Sequence, residues 1–301
     1  MEILKGIVIA GPTGVGKTEL SIKLAKALNA EILSADSAQV YIGMDVGTAK
    51  ISKDEMDGVV HHMLDIVEPI KKYSVGDYQR KGDEVLNSLG EKNVLLVGGT
   101  GLYIDSVVRG LSALPESDPV IREKLMKEEG EKLFEILKEV DPESAESIHP
   151  NNKRRVERAV EVFYQTGEKF SVLSKRNIKG NNCKFLKVAL ERDRDYLYER
   201  INLRVDIMMK NGLLEEVKSL YEKYGDNLKK INIIGYSEII SYLNEEITLE
   251  EATDLIRKNS RNYAKRQFTW FKNDHDYIWY DLDKMSEDEI FSDILQKFNS
   301  L

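Results

Sequence analysis

The sequence predicts an α/β fold: a parallel sheet with helices on both faces, interrupted by an all-helical insertion. Three observations carry this. Short apolar runs alternate with helical patterns up to about residue 110. Helical patterns without a strand then fill Pro115 to about Gly180, and a strand pattern returns at Lys184. Strands that alternate with helices build parallel sheets buried on both faces.

Gly6–Ala10 is apolar, too short for a helix, and ends at a Gly/Pro cluster, which makes it a buried strand. Lys17–Leu28 has helical spacing, and Ala30–Ser34 is a second strand leading into a polar turn at Asp36. A helix over Val75–Leu89, a strand over Asn93–Val97 and a helix from Thr100 follow. In the insertion, Asp118-Pro119 and Asp141-Pro142 mark helix starts. After the Lys184–Leu190 strand come helices near 194–211, 212–224, 235–243 and 248–272, then a last strand at Tyr277–Tyr280. The expected division is 1–112 and 186–301 for the core, with 113–185 as the insertion.

Composition excludes several classes. One cysteine, Cys183, rules out a disulfide scaffold and a Cys-based zinc finger. No apolar run approaches the roughly 20 residues of a membrane span, and Met1–Lys5 leaves no room for a signal peptide. A cytoplasmic protein is expected. With 44 basic and 52 acidic residues the net charge is -8, which at first argues against a nucleic-acid partner. The charge is segregated, however. Residues 151–210 carry 15 basic and 8 acidic side chains, and 255–272 carry six basic and none acidic. Arg257, Arg261 and Lys265 recur every four residues and line one face, and Arg154, Arg155 and Arg158 share a face of the helix that Asn151 or Asn152 caps.

The chemistry starts at Gly11-Pro12-Thr13-Gly14-Val15-Gly16-Lys17-Thr18, a full G-x-x-x-x-G-K-[ST] phosphate loop between a strand and a helix. Its glycines let backbone N–H groups curl around an anion, and the helix N-terminus adds partial positive charge. Lys17 supplies a point charge, and the Thr18 hydroxyl is placed to reach Mg2+. The core is thus P-loop NTPase-like, and the loop specifies a di- or triphosphate without saying what is done with it. No N-K-x-D motif reads a guanine base, and the strand ending at Val97 runs into Gly98-Gly99-Thr100-Gly101 rather than a carboxylate. Asp36 follows the second strand, where it is either a catalytic carboxylate or a turn cap.

Together with the phosphate loop, the blocks 36–41 (DSAQVY), 43–50 (GMDVGTAK) and 97–103 (VGGTGLY) resemble the bacterial tRNA dimethylallyltransferases. Ile148–Asn151, Arg154–Ala159, Ile234–Tyr236 and Ala264–Trp270 extend the resemblance in order along nearly the whole chain. It implies transfer of the dimethylallyl group of dimethylallyl diphosphate to N6 of the adenosine just 3′ of the tRNA anticodon. The loop, residues 11–18, would hold the donor diphosphate, with Lys17, Arg204 and Mg2+ on Thr18 offsetting leaving-group charge. Asp36 would be the general base and Thr100 would position the amine. Contacts to tRNA would come from Asp36, Ser37, Ala38, Gln39, Thr100, Arg122, Arg154, Arg155, Val156, Glu157, Arg158, Gly235, Tyr236, Lys265, Arg266 and Gln267. Ser237 stands where relatives often carry a basic residue, and Val60 precedes His61-His62 where proline is usual. A monomer acting without a membrane is expected. An ATP-dependent nucleoside or nucleotide kinase, a free-nucleotide prenyltransferase and a non-catalytic RNA-binding module are the competing readings.

Overall fold

The computed structural model describes residues 4–112, 114–176, 181 and 183–301. The N-terminal Met1–Ile3, the expected insertion start at 113 and the end of the helical stretch at Gly180 lie outside the described residues. The chain divides into two compact units, Met1–Val108 with Asn182–Leu301, and Arg109–Asn181.

The first unit contains a six-stranded, all-parallel sheet: β1 (Leu4–Ala10), β2 (Ala30–Ala35), β3 (His61–His62), β4 (Asn93–Gly98), β5 (Cys183–Glu191) and β6 (Ile278–Asp281). The spatial order is β3-β2-β4-β1-β5-β6. Its helices are α1 (Lys17–Ala27), α2 (Val75–Ser88) and α3 (Gly101–Val108) before the second unit. The second unit holds α4 (Pro119–Met126), α5 (Gly130–Val140), α6 (Pro142–Ser147), α7 (Lys153–Thr166) and α8 (Phe170–Leu173). The first unit resumes with α9 (Arg194–Lys210), α10 (Leu213–Tyr224), α11 (Tyr236–Leu243), α12 (Leu249–Lys272) and α13 (Glu287–Asn299).

Strand alternation divides the core. Ile7 and Ile9 of β1 face a cluster with Leu20 and Leu24 of α1, Ile201 of α9 and Ile290 and Ile294 of α13. Val8 and Ala10 face the opposite cluster, with Tyr78 and Leu86 of α2, Ile104 and Val107 of α3 and Phe271 of α12. Covering both faces is what lets the strands be largely apolar, and each fully buried aliphatic chain contributes about 1.5–3 kcal/mol. A third cluster joins α9, α10, α11 and α12 through Val205, Val217, Tyr236 and Ile256.

Three features depart from expectation. The strand expected from Lys184 begins at Cys183, because Cys183 pairs with Leu4, so residues 183–185 belong to the sheet rather than to the insertion. His61-His62 form the edge strand β3, too short for a periodicity signal. α13 was not anticipated, although Ser286 and Glu289 make a capping box there.

In the second unit, Leu133, Leu137, Val156, Ala159 and Val160 form the core. Asp118 caps α4 and Asp141 caps α6, as the Asp-Pro pairs predict, and Asn152, the second of the two proposed residues, caps α7. The buried Glu161 carboxylate accepts from Ser117 Oγ (2.6 Å), Asp118 N (2.9 Å) and Arg158 Nη1 (2.8 Å). Arg158 also donates to Pro115 O. Arg158→Ala should therefore destabilise this unit by about 2–4 kcal/mol, less than for a fully buried pair because the guanidinium is partly exposed. Hydrogen exchange over residues 109–181 should show the loss, and unchanged protection would contradict it.

Candidate active site

Parallel strands end at one edge, so the loops after β1, β2 and β4 meet: Ala35 and Ala10 are both in register with Gly98. The approach is tight. A Cβ on Gly98 would stand 2.1 Å from Ala35 O.

The loop after β1 turns into α1 through Gly16, at φ 114°, a left-handed conformation that suits glycine. No side chain caps α1, which leaves its first N–H groups and the positive end of the helix for an anion. Lys17 Nζ donates to Gly11 O (2.9 Å) and Pro12 O (2.8 Å) inside the loop. Burial pulls the Lys17 ammonium down to about 7, with Asp36 opposing the shift and Arg204 adding to it. Arg200 Nε donates to Gly14 O (2.9 Å) and Arg192 Nε to Val15 O (3.0 Å). The loop opens into a cavity of about 390 Å³ whose walls include Lys17, Thr18, Asp36, Arg200, Arg204 and Leu203.

Asp36 is at once a turn cap and a cavity-lining carboxylate. Oδ1 accepts from Ala38 N (2.8 Å) and Gln39 N (3.3 Å), forming the turn, while the residue lines the cavity. Thr100 Oγ1 accepts from Ser37 N (3.0 Å), which ties the β2 and β4 loops. Tyr263 of α12 is pushed upward in pKa by burial and by Asp36, against hydrogen bonds with Thr100, Ser37 and Gln267. Gln267 Oε1 accepts from Thr13 N at 2.9 Å. Gln39 Nε2 donates to Thr48 O and Ala49 O, both at 3.3 Å, and Arg204 Nη2 donates to Thr48 O at 3.3 Å. Burial lowers the Arg204 pKa, against the pull of Asp36. A second cavity of about 240 Å³ shares Thr13, Asp36 and Arg204 with the first and adds Ser37, Tyr263 and Arg266. Two cavities thus meet at one carboxylate and one guanidinium.

The segment carrying Thr48 and Ala49 is held by Glu216 of α10. Its carboxylate accepts from the N–H groups of Asp45 (2.9 Å), Val46 (2.7 Å) and Gly47 (3.0 Å) and from Tyr236 Oη (2.6 Å). Sequence reading missed Glu216, Arg192, Arg200 and Tyr263. Only Arg200 had a local signal, four residues before Arg204 on one helix.

Arg266 and His61 also line these cavities. Gly235 and Tyr236 are buried beneath the 45–47 segment, and a Cβ on Gly47 would collide with the Tyr236 ring. Lys265 and Arg266 are exposed on α12, but Arg257 pairs with Asp206 and Asp254, and Arg261 donates to Asn202. In the other unit, Arg122, Arg154 and Arg155 are exposed, Val156 is buried, Glu157 faces Lys153 at 3.8 Å, and Arg158 is committed to Glu161. His61 lines the first cavity and bonds Val59 O through Nδ1, whereas His62 is paired with Glu31.

Fold and site define a phosphate-loop α/β protein in which the cavity over the loop and an adjoining cavity converge on Asp36. Residues 39–274 match the family described as IPP transferase. The chain is 59% identical over 300 residues to a tRNA dimethylallyltransferase of Fusobacterium nucleatum, covering 99% of each, and 48% identical over 299 residues to one of Bacillus cereus, covering 97% of this chain and 93% of that one. It superposes on the crystal structure of a tRNA isopentenylpyrophosphate transferase from Bacillus halodurans with a TM-score of 0.73 at 40% identity, covering 99% and 98% of the two chains. A eukaryotic dimethylallyltransferase acting on tRNA gives 0.81 at 27% identity, covering 98% of this chain and 80% of that one. The chain belongs to the IPP transferase family.

The depressed Lys17 has a pH consequence. Below about 7 the ammonium is already charged, while above it a bound anion must draw in a proton. Affinity for pyrophosphate should fall by up to about tenfold per pH unit above 7, relative to Lys17→Met, which carries the ligand's own titration. Titration calorimetry in buffers of different ionisation enthalpy checks this, and parallel pH profiles for the two proteins would refute it.

Proposed function

We propose that this chain transfers the dimethylallyl group from dimethylallyl diphosphate to N6 of the adenosine 3′-adjacent to the anticodon in tRNA, releasing diphosphate. The observation that carries this reading is the meeting of two cavities at Thr13, Asp36 and Arg204, one floored by the phosphate loop. Donor diphosphate occupies the loop, and the adenine, unstacked from its loop, enters from the second cavity. The allylic C–O bond breaks as the C–N bond forms. Lys17, Arg204 and loop amides take up charge growing on the leaving group, and Asp36 accepts the N6 proton. Thr100 and Ser37 hold the amine in place beside Asp36.

Among the described residues no cluster of three or more His, Cys, Asp or Glu is placed to hold a metal ion. The exposed Thr18 hydroxyl at the loop fits Mg2+ that takes its other ligands from diphosphate and water. Such an ion would supply charge neutralisation on the leaving group. For tRNA, Lys265, Arg266 and Gln39 act at the core, and Arg122, Arg154 and Arg155 of the helical unit add phosphate contacts. No helix among the described residues is long and apolar enough to cross a membrane; we place the chain in the cytoplasm, acting as a monomer.

Incubation with tRNA, dimethylallyl diphosphate and Mg2+, without ATP, should yield a prenylated adenosine on nucleoside analysis. No product from folded protein, or a strict need for ATP, would reject the reading. Asp36→Ala should lower turnover by about 10²–10⁴-fold with both substrates bound. For tRNA, Arg154→Glu with Arg155→Glu is the informative pair, because the Arg158 side chain is structural. This pair should weaken tRNA binding and flatten its salt dependence while leaving pyrophosphate affinity unchanged; an unchanged tRNA affinity at moderate salt would exclude the contact.

A further inference from the structure

We infer that Arg192, oriented by Asp283, acts with Arg200 as a positioning clamp that presets the phosphate loop for its anion. The inference rests on the reading of that loop as the diphosphate site.

A trans peptide unit directs its C=O and the following N–H to opposite sides. Arg200 holds Gly14 O, and Arg192 holds Val15 O. The N–H groups of Val15 and Gly16 are thereby turned away from the two arginines, and Val15 N donates to Pro12 O at 3.4 Å. The Gly16 N–H and the uncapped first N–H groups of α1 are donors of the kind from which an anion nest is made.

The two arginines form a built unit. Their guanidinium groups flank the Tyr196 ring, at 5.4 Å for Arg192 and 5.9 Å for Arg200. Asp283, in the turn after β6, accepts from Arg192 Nη1 at 2.8 Å and from Asp193 N at 2.6 Å. Arg200 also lines the first cavity, but Arg192 lines neither cavity, so its effect on an anion must pass through the loop. Fixed carbonyls spare the loop a reorganisation cost when the ligand binds or when charge grows on it.

Asp283→Asn separates positioning from simple electrostatics by sign. Removing a negative charge should tighten anion binding if only the field matters. If Asp283 acts by aiming Arg192, its loss should weaken binding. Dissociation constants of inorganic pyrophosphate with Mg2+ should be measured by calorimetry on the full chain, with thermal unfolding confirming that each variant is folded. We expect weakening of at least tenfold for Arg192→Ala and severalfold for Asp283→Asn. Wild-type affinity in Arg192→Ala, or equal or tighter binding in Asp283→Asn, would overturn the clamp alone. A wild-type chain that fails to bind pyrophosphate would overturn the diphosphate reading along with it.

Discussion

The hydrogen bond from Thr13 N to Gln267 Oε1 joins groups 254 residues apart, and the arrangement of the core site depends on it. Gln267 is buried on α12, where its side chain occupies the space that a Cβ on Gly99 would need, 2.1 Å from Nε2. One turn later the Trp270 ring packs over Gly101, where a Cβ would fall 2.2 Å away. One turn earlier Tyr263 reaches Thr100 and Ser37. Residues 263, 267 and 270 lie on one helical face, so a single helix registers the loops after β1, β2 and β4 against each other. The bond itself is worth only about 1 kcal/mol net, but leaving a part-buried N–H and amide oxygen unpaired costs up to about 1–3 kcal/mol. Glycine at 99 and 101 is the condition for that docking.

A second anchor works on the other side of Asp36. Glu216 accepts from three consecutive backbone N–H groups and a tyrosine hydroxyl, and the segment it fixes presents Thr48 O to both Gln39 and Arg204. The side chains that face the cavities are therefore held by carbonyls whose own positions are fixed from α10. Burial lowers the pKa of both Lys17 and Arg204 while Asp36 opposes the shift. Cations desolvated in advance meet an incoming anion without first giving up water, which is the physical sense in which such a pocket is preorganised.

What could be read from the sequence follows the range of the interactions. The phosphate loop is a contiguous motif whose function lies in its own backbone, and its strand–turn–helix setting was visible. The sheet was visible because strands buried on both faces are largely apolar, whereas the two-residue β3 carries no such signal. Asp36 remained ambiguous for a sound reason: in the structure it is a turn cap and a cavity wall together. Glu216 was illegible because the donors it serves lie about 170 residues away and nothing nearby marks it.

The charged helix faces show the same limit more sharply. Periodicity put Arg257, Arg261 and Lys265 of α12 on one face, yet it could not say what stands opposite. Asp206 and Asn202 of α9 do, so Arg257 and Arg261 join two helices while Lys265 remains exposed. In α7, Arg154 and Arg155 are exposed and Arg158 is drawn inward by Glu161. The overall charge of -8 and the local basic runs are both properties of composition. A polyanion responds to neither as such; it responds to cations whose countercharges lie elsewhere. Sorting the basic residues by what they already hold leaves fewer of them than the runs suggest, with Arg154, Arg155, Lys265 and Arg266 exposed among them. The electrostatic footprint is thus set by packing, because packing decides which arginines are already committed.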